Sequence, residues 1–219
     1  MTGAGLRERK KQQTRQAIAA AAIALFTERG FEAVSVAQVA EAANVAPQTV
    51  FNYFPAKEDL VLGAYDDGFA RELAEAVRSC QPGQSVTAAV APMLFAHFEG
   101  ALASEDFEAV ETTARLVDAS PSLQARQRAD AAKFAASLAA AIADTVGAAP
   151  TDVEPLVVAN AATSVYQAIF ETARRRVLAG QNGRSLREAL RHDVERSWAL
   201  LQAGFGDYKR PASAGQPKR

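Results

Sequence analysis

Early in the chain, hydrophobic positions recur at helical spacing in two short runs that are separated by a turn. The apolar positions of the first run are Val36, Val39, Ala40 and Ala43. Ser35 with Gln38 three residues later is typical of a capping box at the start of this run. Asn44 follows the run and tolerates the left-handed backbone of a tight turn, and Pro47 suits the first position of the next helix. This order predicts a helix-turn-helix, whose second helix enters the DNA major groove.

The second helix of this motif divides its side chains between two faces. At about 100° per residue, Val50 and Phe54 share one face and are expected to pack inward. Gln48 and Asn52 lie almost opposite them. Outward amide side chains can donate to and accept from an adenine edge, so they predict a base-reading surface. The alternative is an ordinary solvated polar face.

Helical spacing and helix-ending residues continue along most of the chain, and no strand-like alternation persists. They predict an all-α protein of about nine helices. Besides the two helices of the motif, the approximate spans are 7–29, 57–80, 85–103, 104–117, 120–147, 151–178 and 185–203.

Several of these helix ends carry specific signals. Gly30 stands at the left-handed stop position of the first helix. Thr151 with Glu154, and Ser185 with Glu188, are spaced as capping boxes for the last two helices. Three further serines are expected to cap helices, and these are Ser85, Ser104 and Ser120.

The chain has 219 residues, of which 49% are hydrophobic, so it can form a sizeable core, and its net charge is only −1. That charge is unevenly distributed. The first 15 residues carry one acidic side chain, Glu8, and five basic ones, Arg7, Arg9, Lys10, Lys11 and Arg15. We expect this basic segment to contact DNA phosphates, which supply affinity that does not depend on sequence. The alternative is a solvated terminus.

Other kinds of site have little support in the sequence. The single cysteine, Cys80, excludes an internal disulfide and a zinc site of the paired-cysteine type. The two histidines, His97 and His192, fall on separate predicted helices, and no HExxH, GxSxG or P-loop spacing occurs. No signal peptide or spanning segment is indicated. We therefore expect a cytoplasmic protein without catalytic activity, cofactor, metal site or membrane partner.

A resemblance to the DNA-binding domain of TetR-family transcriptional regulators covers residues 14–60, TRQAIAAAAIALFTERGFEAVSVAQVAEAANVAPQTVFNYFPAKEDL. The features at family spacing are Phe26 with Gly30-Phe31, the Ser35 cap, the run from Thr49 to Phe54 and the Lys57-Glu58 start. The resemblance implies three N-terminal helices that bind DNA, followed by a helical domain that binds a ligand and dimerises. We accordingly expect a DNA-binding domain over 1–56, a second domain over 57–206 and a disordered tail over 207–219.

The resemblance also implies roles for individual residues. The implied phosphate contacts are Ser35, Thr49, Tyr53 and Lys57, the implied groove contacts are Pro47, Gln48, Phe51 and Asn52, and Gln38 completes the expected DNA-binding set. Helical position agrees for Gln48 and Asn52 but puts Tyr53 nearer the core. Two positions depart from the family pattern. Asn44 stands where glycine is frequent, and Ala46 removes a Ser or Thr cap worth about 1 kcal/mol.

The predicted second domain offers candidates for an effector site, which are aromatic or isolated polar side chains on apolar helix faces. They are Met93, His97, Phe98, Arg115, Phe134, Tyr166 and Phe170. Each is also compatible with an ordinary core or surface position. The abundant apolar residues predict a largely apolar small molecule with one or two polar anchors. A buried Arg115 without a protein carboxylate would make that anchor anionic.

A homodimer is expected through the eighth and ninth predicted helices. The eighth carries a wide face rich in small residues, namely Leu156, Val157, Asn160, Ala161, Ser164, Val165, Ala168 and Ile169. The ninth carries an apolar stripe of Leu186, Leu190, Val194, Trp198 and Leu201. Two such helices from each protomer can form a four-helix interface. The alternative is that both faces complete the core of a single protomer.

Together these features predict a ligand-responsive DNA-binding regulator, acting as a repressor that a small, largely apolar molecule releases from a palindromic operator. Its expected partners are double-stranded operator DNA, the effector and a second copy of the chain. A different class remains open, an all-α enzyme or adaptor whose helix-turn-helix serves protein contacts. A small-molecule carrier with a vestigial DNA-binding domain is a third reading.

Overall fold

The computed structural model describes residues 3–63, 67–81, 84–102 and 107–205, and the side chains of residues 3–6, 67, 70, 94, 95, 97–102 and 205 are outside this description. Within these ranges the chain forms α-helices and no strand. The helices are α1 (Gly3–Arg29), α2 (Val36–Ala42), α3 (Pro47–Tyr53), α4 (Asp59–Leu62), α5 (Asp67–Arg78), α6 (Val86–Leu102), α7 (Phe107–Ala119), α8 (Pro121–Val146), α9 (Glu154–Leu178) and α10 (Gly183–Phe205). The predicted all-α class is confirmed.

The helix predicted over 57–80 is two helices, α4 and α5. α4 ends at Gly63, whose φ of +77° lies in the left-handed region, and the Gly63 N–H donates to the Asp59 carbonyl at 3.0 Å. Glycine adopts this backbone without the steric penalty of a side chain, so the helix can stop there. The described part of the chain therefore has ten helices where about nine were predicted.

Three of the predicted helix caps are present. Ser35 Oγ accepts the Gln38 N–H at 3.3 Å, and Gln38 Oε1 accepts the Ser35 N–H at 2.8 Å, which completes the capping box of α2. Ser85 and Ser120 each accept, through Oγ, the N–H three residues ahead, at 3.2 and 3.1 Å. The stop at Gly30 is also confirmed, since its φ is +82°.

The capping box predicted at Thr151 and Glu154 is wrong. α9 does begin at Glu154, but no side chain caps it. Asp152 instead accepts the N–H of Ala149 at 2.9 Å and closes the turn before the helix. Asp competes well for such local backbone donors, and the spacing of Thr and Glu contains no information about that competition.

The capping box predicted at Ser185 and Glu188 is wrong as well. α10 begins earlier, at Gly183, so Ser185 lies within its first turn and donates to the Asn182 carbonyl at 3.0 Å. The predicted cap at Ser104 lies outside the described residues, as does the predicted tail over 207–219.

The chain divides into two compact units. Unit 1 is Met1–Tyr65 with Glu108–Arg128, and unit 2 is Asp66–Phe107 with Ala129–Arg219. The core of unit 1 comprises Ile18, Ala22, Phe26, Phe31, Val34, Val39, Ala40, Val50, Phe54, Leu60, Leu116, Val117 and Leu123. The last three belong to α7 and α8, so the helix-turn-helix shares its core with a segment far beyond residue 56.

Two carboxylates join the N-terminal helices of unit 1 to the start of α8. Glu32 accepts hydrogen bonds from the hydroxyls of Ser120 and Ser122, at 2.7 and 3.0 Å. These bonds, the one from Ser120 above all, hold the pKa of Glu32 below its usual value. Asp59, which is only 2% exposed, lies 2.9 Å from the Arg126 guanidinium and accepts the backbone N–H of Ala56 at 2.8 Å.

Unit 2 has its own core, contributed by α5, α6, α8, α9 and α10. Its buried residues are Leu73, Ala74, Val77, Val86, Val90, Ala91, Leu138, Ala141, Ile142, Val158, Ala159, Ala162, Trp198 and Leu201. The whole predicted stripe of α10, from Leu186 to Leu201, is buried within the protomer. Assigning that stripe to a dimer interface was therefore wrong, because it faces the protomer's own helices.

None of the described helices is both long and apolar enough to cross a membrane. Among the described side chains, no cluster of three His, Cys, Asp or Glu residues is arranged to hold a metal ion.

Arg126→Met tests the buried ion pair of unit 1. It leaves the Asp59 carboxylate buried without its cation, so we expect the free energy of unfolding to fall by about 1–3 kcal/mol. The measurement is the urea unfolding midpoint, followed by helical circular dichroism. Arg128→Met removes an exposed arginine from the same helix and serves as the matched control. An equal loss in both variants would contradict a stabilising role for the pair.

Candidate functional site

The turn of the helix-turn-helix is held by backbone bonds and one special residue. Asn44 has a φ of +53°, the left-handed conformation predicted for it. The chain then returns so that the Val45 N–H reaches the Ala40 carbonyl at 2.9 Å. α3 starts at Pro47, and Ala46 before it makes no side-chain cap bond, as expected. The turn therefore sets the direction of α3 without help from a cap.

α3 buries one face and exposes the other, as its spacing predicted. Val50 and Phe54 are buried in the core of unit 1. Gln48 and Asn52 are exposed, and Gln48 Nε2 donates to Asn52 Oδ1 at 3.3 Å. This bond places the two amide groups next to each other on the exposed face of α3. The side-chain groups that do not take part in this bond are the acceptor Gln48 Oε1 and the donor Asn52 Nδ2.

Phe51 stands beside this amide pair on the exposed side of α3. Its side chain is 44% exposed, which is unusual for a phenylalanine. If α3 lies in the major groove as predicted, this ring would offer an apolar surface to a thymine methyl group. Pro47 is also exposed, and Thr49 is half-buried beside it.

Two predicted DNA-binding residues at the start of α2, the capping residue Ser35 and Gln38, are hydrogen-bonded to each other. Ser35 and Gln38 are exposed but form the capping box that starts the helix. Gln38 uses its Oε1 atom for this bond, so its amide nitrogen is the group left for a further contact. Tyr53, at the end of α3, packs partly against the core of unit 1, in agreement with its helical position.

Lys57 has a structural role that the sequence did not reveal. Its Nζ donates to the Phe31 carbonyl at 2.6 Å and lies 4.2 Å from the centroid of the Phe31 ring. The centroid of the Phe26 ring lies 5.7 Å from the same Lys57 Nζ atom. Partial burial lowers the pKa of this ammonium group. Lys57 thus ties the segment after α3 to the end of α1, and a contact to phosphate would use the same cation.

In unit 2, the aromatic effector-site candidates come together in one row of rings. Phe134 stacks on Phe69 and on Tyr166, with centroids 6.0 and 6.1 Å apart. Phe170 follows, 4.7 Å from the Tyr166 ring. Burial raises the pKa of Tyr166 to about 12, so its hydroxyl stays protonated at neutral pH. We call Phe69, Phe134, Tyr166 and Phe170 the aromatic row.

Phe69 was missed by the sequence reasoning, because a phenylalanine within the predicted helix 57–80 indicates only ordinary core packing. Met93 packs partly buried against the same core as the row. The side chains of His97 and Phe98 lie outside the described residues.

Arg115 does not meet the condition that would have made it an effector anchor. Its side chain is 70% exposed and forms an ion pair with Glu111, one turn earlier on α7. It belongs to unit 1, whereas the aromatic row belongs to unit 2. Arg115 sits on the solvated side of α7, opposite the buried Leu116 and Val117. We therefore remove it from the candidate set.

α9 exposes apolar side chains on the face that was predicted to be an interface. Leu156 and Val157 are 49% and 45% exposed. Asn160, Ser164 and Ala168 continue this face and are exposed as well. Three residues of the predicted set are turned toward the protomer instead: Ile169 is buried, and Ala161 and Val165 are half-buried against the core of unit 2.

Comparison with known proteins matches two stretches of the chain to family models. A model described as bacterial regulatory proteins of the tetR family matches residues 18–64. A second, described as the MftR C-terminal domain, matches residues 81–205, more than half of the chain.

Individual relatives match over shorter stretches. The chain is 34% identical over 126 residues to the HTH-type transcriptional regulator TcmR of Streptomyces glaucescens, which covers 56% of each protein. It is also 36% identical over 73 residues to the HTH-type transcriptional repressor KstR of Mycobacterium tuberculosis. This matched stretch covers 33% of each protein. The chain thus matches about half or less of the length of these curated relatives. The structure of a SmeT–triclosan complex shares the fold, with a TM-score of 0.57, 17% identity and coverage of 94% of this chain and 99% of that one.

Proposed function

Because this chain belongs to the TetR family of bacterial regulatory proteins, we propose that it is a ligand-responsive transcriptional regulator that binds operator DNA as a homodimer in the cytoplasm. The observation that carries the proposal is the outward pair of Gln48 and Asn52 on a helix whose opposite face is buried. A regulator needs this combination, because the buried face fixes the direction in which the amides point. One relative is named a repressor, which supports repression as the mode of action.

Base recognition is assigned to the exposed side of α3. Gln48 and Asn52 present amide donors and acceptors that fit the adenine N6 and N7 edge. Phe51 and Pro47 supply apolar surface beside them. In a dimer the two α3 helices would lie about one turn of DNA apart, roughly 34–36 Å, and would match a palindromic operator.

Phosphate contacts hold this helix in register. We assign them to Ser35, Gln38, Thr49, Tyr53 and Lys57, which border the base-reading face. Such contacts supply affinity and orientation but carry no sequence information of their own.

The effector site is assigned to unit 2, beside the aromatic row. Rings and aliphatic side chains there favour a largely apolar molecule, and the protonated Tyr166 hydroxyl is a candidate polar anchor. Arg174, one turn after Phe170 on α9, has only 17% of its side chain exposed, but it is paired with Glu171. Among the described residues it therefore does not require the effector to be anionic. An effector that binds the DNA-free protein about 1–3 kcal/mol more tightly than the DNA-bound protein is enough to change operator occupancy several-fold or more.

The dimer interface is assigned to α9 and α10. On α9 the exposed Leu156 and Val157 begin an apolar face, and small residues beyond them allow close approach of a partner helix. On α10 the exposed Leu200 supplies apolar surface outside the buried stripe. Two exposed helices from each protomer form the four-helix arrangement common in symmetric dimers.

Gln48→Ala and Asn52→Ala should each relax base preference, at a cost of roughly 1–3 kcal/mol at the base pair concerned. The measurement is equilibrium binding to duplexes from the DNA flanking the protein's own gene, with single base-pair changes and fixed salt. Lys57→Ala is the contrasting variant. It should weaken binding to all sequences alike, reduce the salt dependence and lower the unfolding midpoint through the lost Phe31 contact. A changed preference in Lys57→Ala with none in Gln48→Ala would contradict the groove assignment.

Compounds that bind the aromatic row should raise the melting temperature, because they stabilise the folded state alone. The same compounds should release operator DNA by linkage, and Phe170→Ala should reduce both effects. A library screened by thermal shift and then by DNA binding measures this. Stabilising compounds that leave DNA affinity unchanged would argue against an effector role, and a preference for polar cations would contradict the apolar site.

Ala168→Arg should produce a folded monomer with little operator affinity, since it places an unpaired charge in the proposed interface. Ala168 is the better choice because it is exposed, whereas Ala161 packs against the core of unit 2. Sedimentation velocity measures the oligomeric state. Ala132→Arg, on an exposed position of α8, should remain a dimer. A dimeric Ala168→Arg would move the interface elsewhere.

A further inference from the structure

A groove on the surface of unit 1 joins the beginning of α1 to the end of α3. Its volume is about 500 Å³. The residues that line it are Arg7, Glu8, Lys10, Lys11, Thr14 and Tyr53. Three of these side chains are cations and one is a carboxylate, so the groove is positively charged.

The cations are presented by helix geometry. α1 is helical from Gly3 onward, so the basic segment at the N-terminus is an ordered surface. Residues at intervals of three and four share a helix face, which places Arg7, Lys10, Lys11 and Thr14 along one side of α1. The three cations are exposed. The Thr14 hydroxyl donates to the Lys10 carbonyl, one turn earlier in α1, at 3.0 Å.

Tyr53 connects this groove to the base-reading helix. It is the last residue of α3 and directly follows Asn52. An anion in the groove would therefore lie next to the side chains assigned to base contacts. The α1 residues of the groove precede the segment 18–64 that matches the tetR family model, so they are a feature of this chain beyond that match.

We propose that this groove binds the phosphate backbone of the operator next to the bases that α3 reads, a proposal that rests on the DNA-binding function above. Arg7, Lys10 and Lys11 neutralise phosphates, and the Tyr53 hydroxyl donates a hydrogen bond to one of them. Charge complementarity favours DNA as the occupant. Its backbone presents a row of negatively charged phosphates, and the three cations of the groove also form a row along one side of α1. The groove adds affinity and leaves base preference to α3.

The test is the salt dependence of operator binding by Lys10→Gln/Lys11→Gln. Each lost phosphate contact reduces the slope of log K against log salt concentration by about 0.9. In the homodimer each protomer loses two contacts, four in all, so between 50 and 200 mM salt the double variant should lose about 150-fold less affinity than the wild type. The preference for operator over a scrambled duplex should stay the same. Glutamine keeps high helix propensity, so α1 should remain folded.

Three further variants sharpen the result. Arg128→Gln/Lys133→Gln removes the same charge from exposed positions of α8, outside the proposed dimer interface, and should keep the wild-type slope. Tyr53→Phe should lower affinity several-fold without changing the slope, because the lost group is neutral. Glu8→Gln should raise affinity at low salt, since it removes the one negative charge in the groove.

An unchanged slope in Lys10→Gln/Lys11→Gln would overturn the proposal, and so would an equal change in the α8 control. Loss of base preference in parallel with the slope would also overturn it. These failures leave the proposed function intact if the wild type still prefers operator DNA. A wild type that binds operator and scrambled duplexes equally would overturn the proposed function and this inference together.

Discussion

The proposed base-reading surface depends on one constraint, which is that α2 and α3 are too short to be stable by themselves. Each has seven residues, whereas isolated helices shorter than about 12–15 residues are marginal in water. Their stability comes from burying Val39, Val50 and Phe54 in a core built around Phe26 of α1. The same core takes in Leu116, Val117 and Leu123 from α7 and α8. The direction of the exposed amides is therefore set by packing behind them.

Local signals were predictable from sequence, and distant contacts were not. The Ser35 capping box, the left-handed Asn44 and the Gly30 stop each depend on a few neighbouring residues, so the sequence contains them. The contributions of α7 and α8 to unit 1 depend on which elements meet in space, which periodicity does not encode. The exposure of Arg115 and the burial of the α10 stripe were not predictable for the same reason. A helix pattern identifies an apolar face, but it does not identify the element that packs against this face.

The functional side chains were predicted less completely than the fold. The exposure of Gln48 and Asn52 was predictable because their spacing places them opposite Val50 and Phe54 on the helix, and their role in base recognition stays a proposal. The contact of Lys57 with Phe31 was not predictable, since it joins residues 26 positions apart. The residues therefore fall into two groups with different chemistry. In the proposed function, neutral amides on α3 discriminate between bases, and cations around it add affinity that salt screens.

The central claim is that the exposed face of α3 reads DNA sequence. The most direct measurement is selection of bound duplexes from a randomised pool by the wild-type protein at physiological salt, followed by sequencing. The account predicts enrichment of a palindrome whose half-sites are about one helical turn apart, roughly 10–10.5 base pairs. A pool that stays random after repeated rounds, with duplexes retained only at low salt, would contradict it, because binding would then rest on phosphate contacts alone.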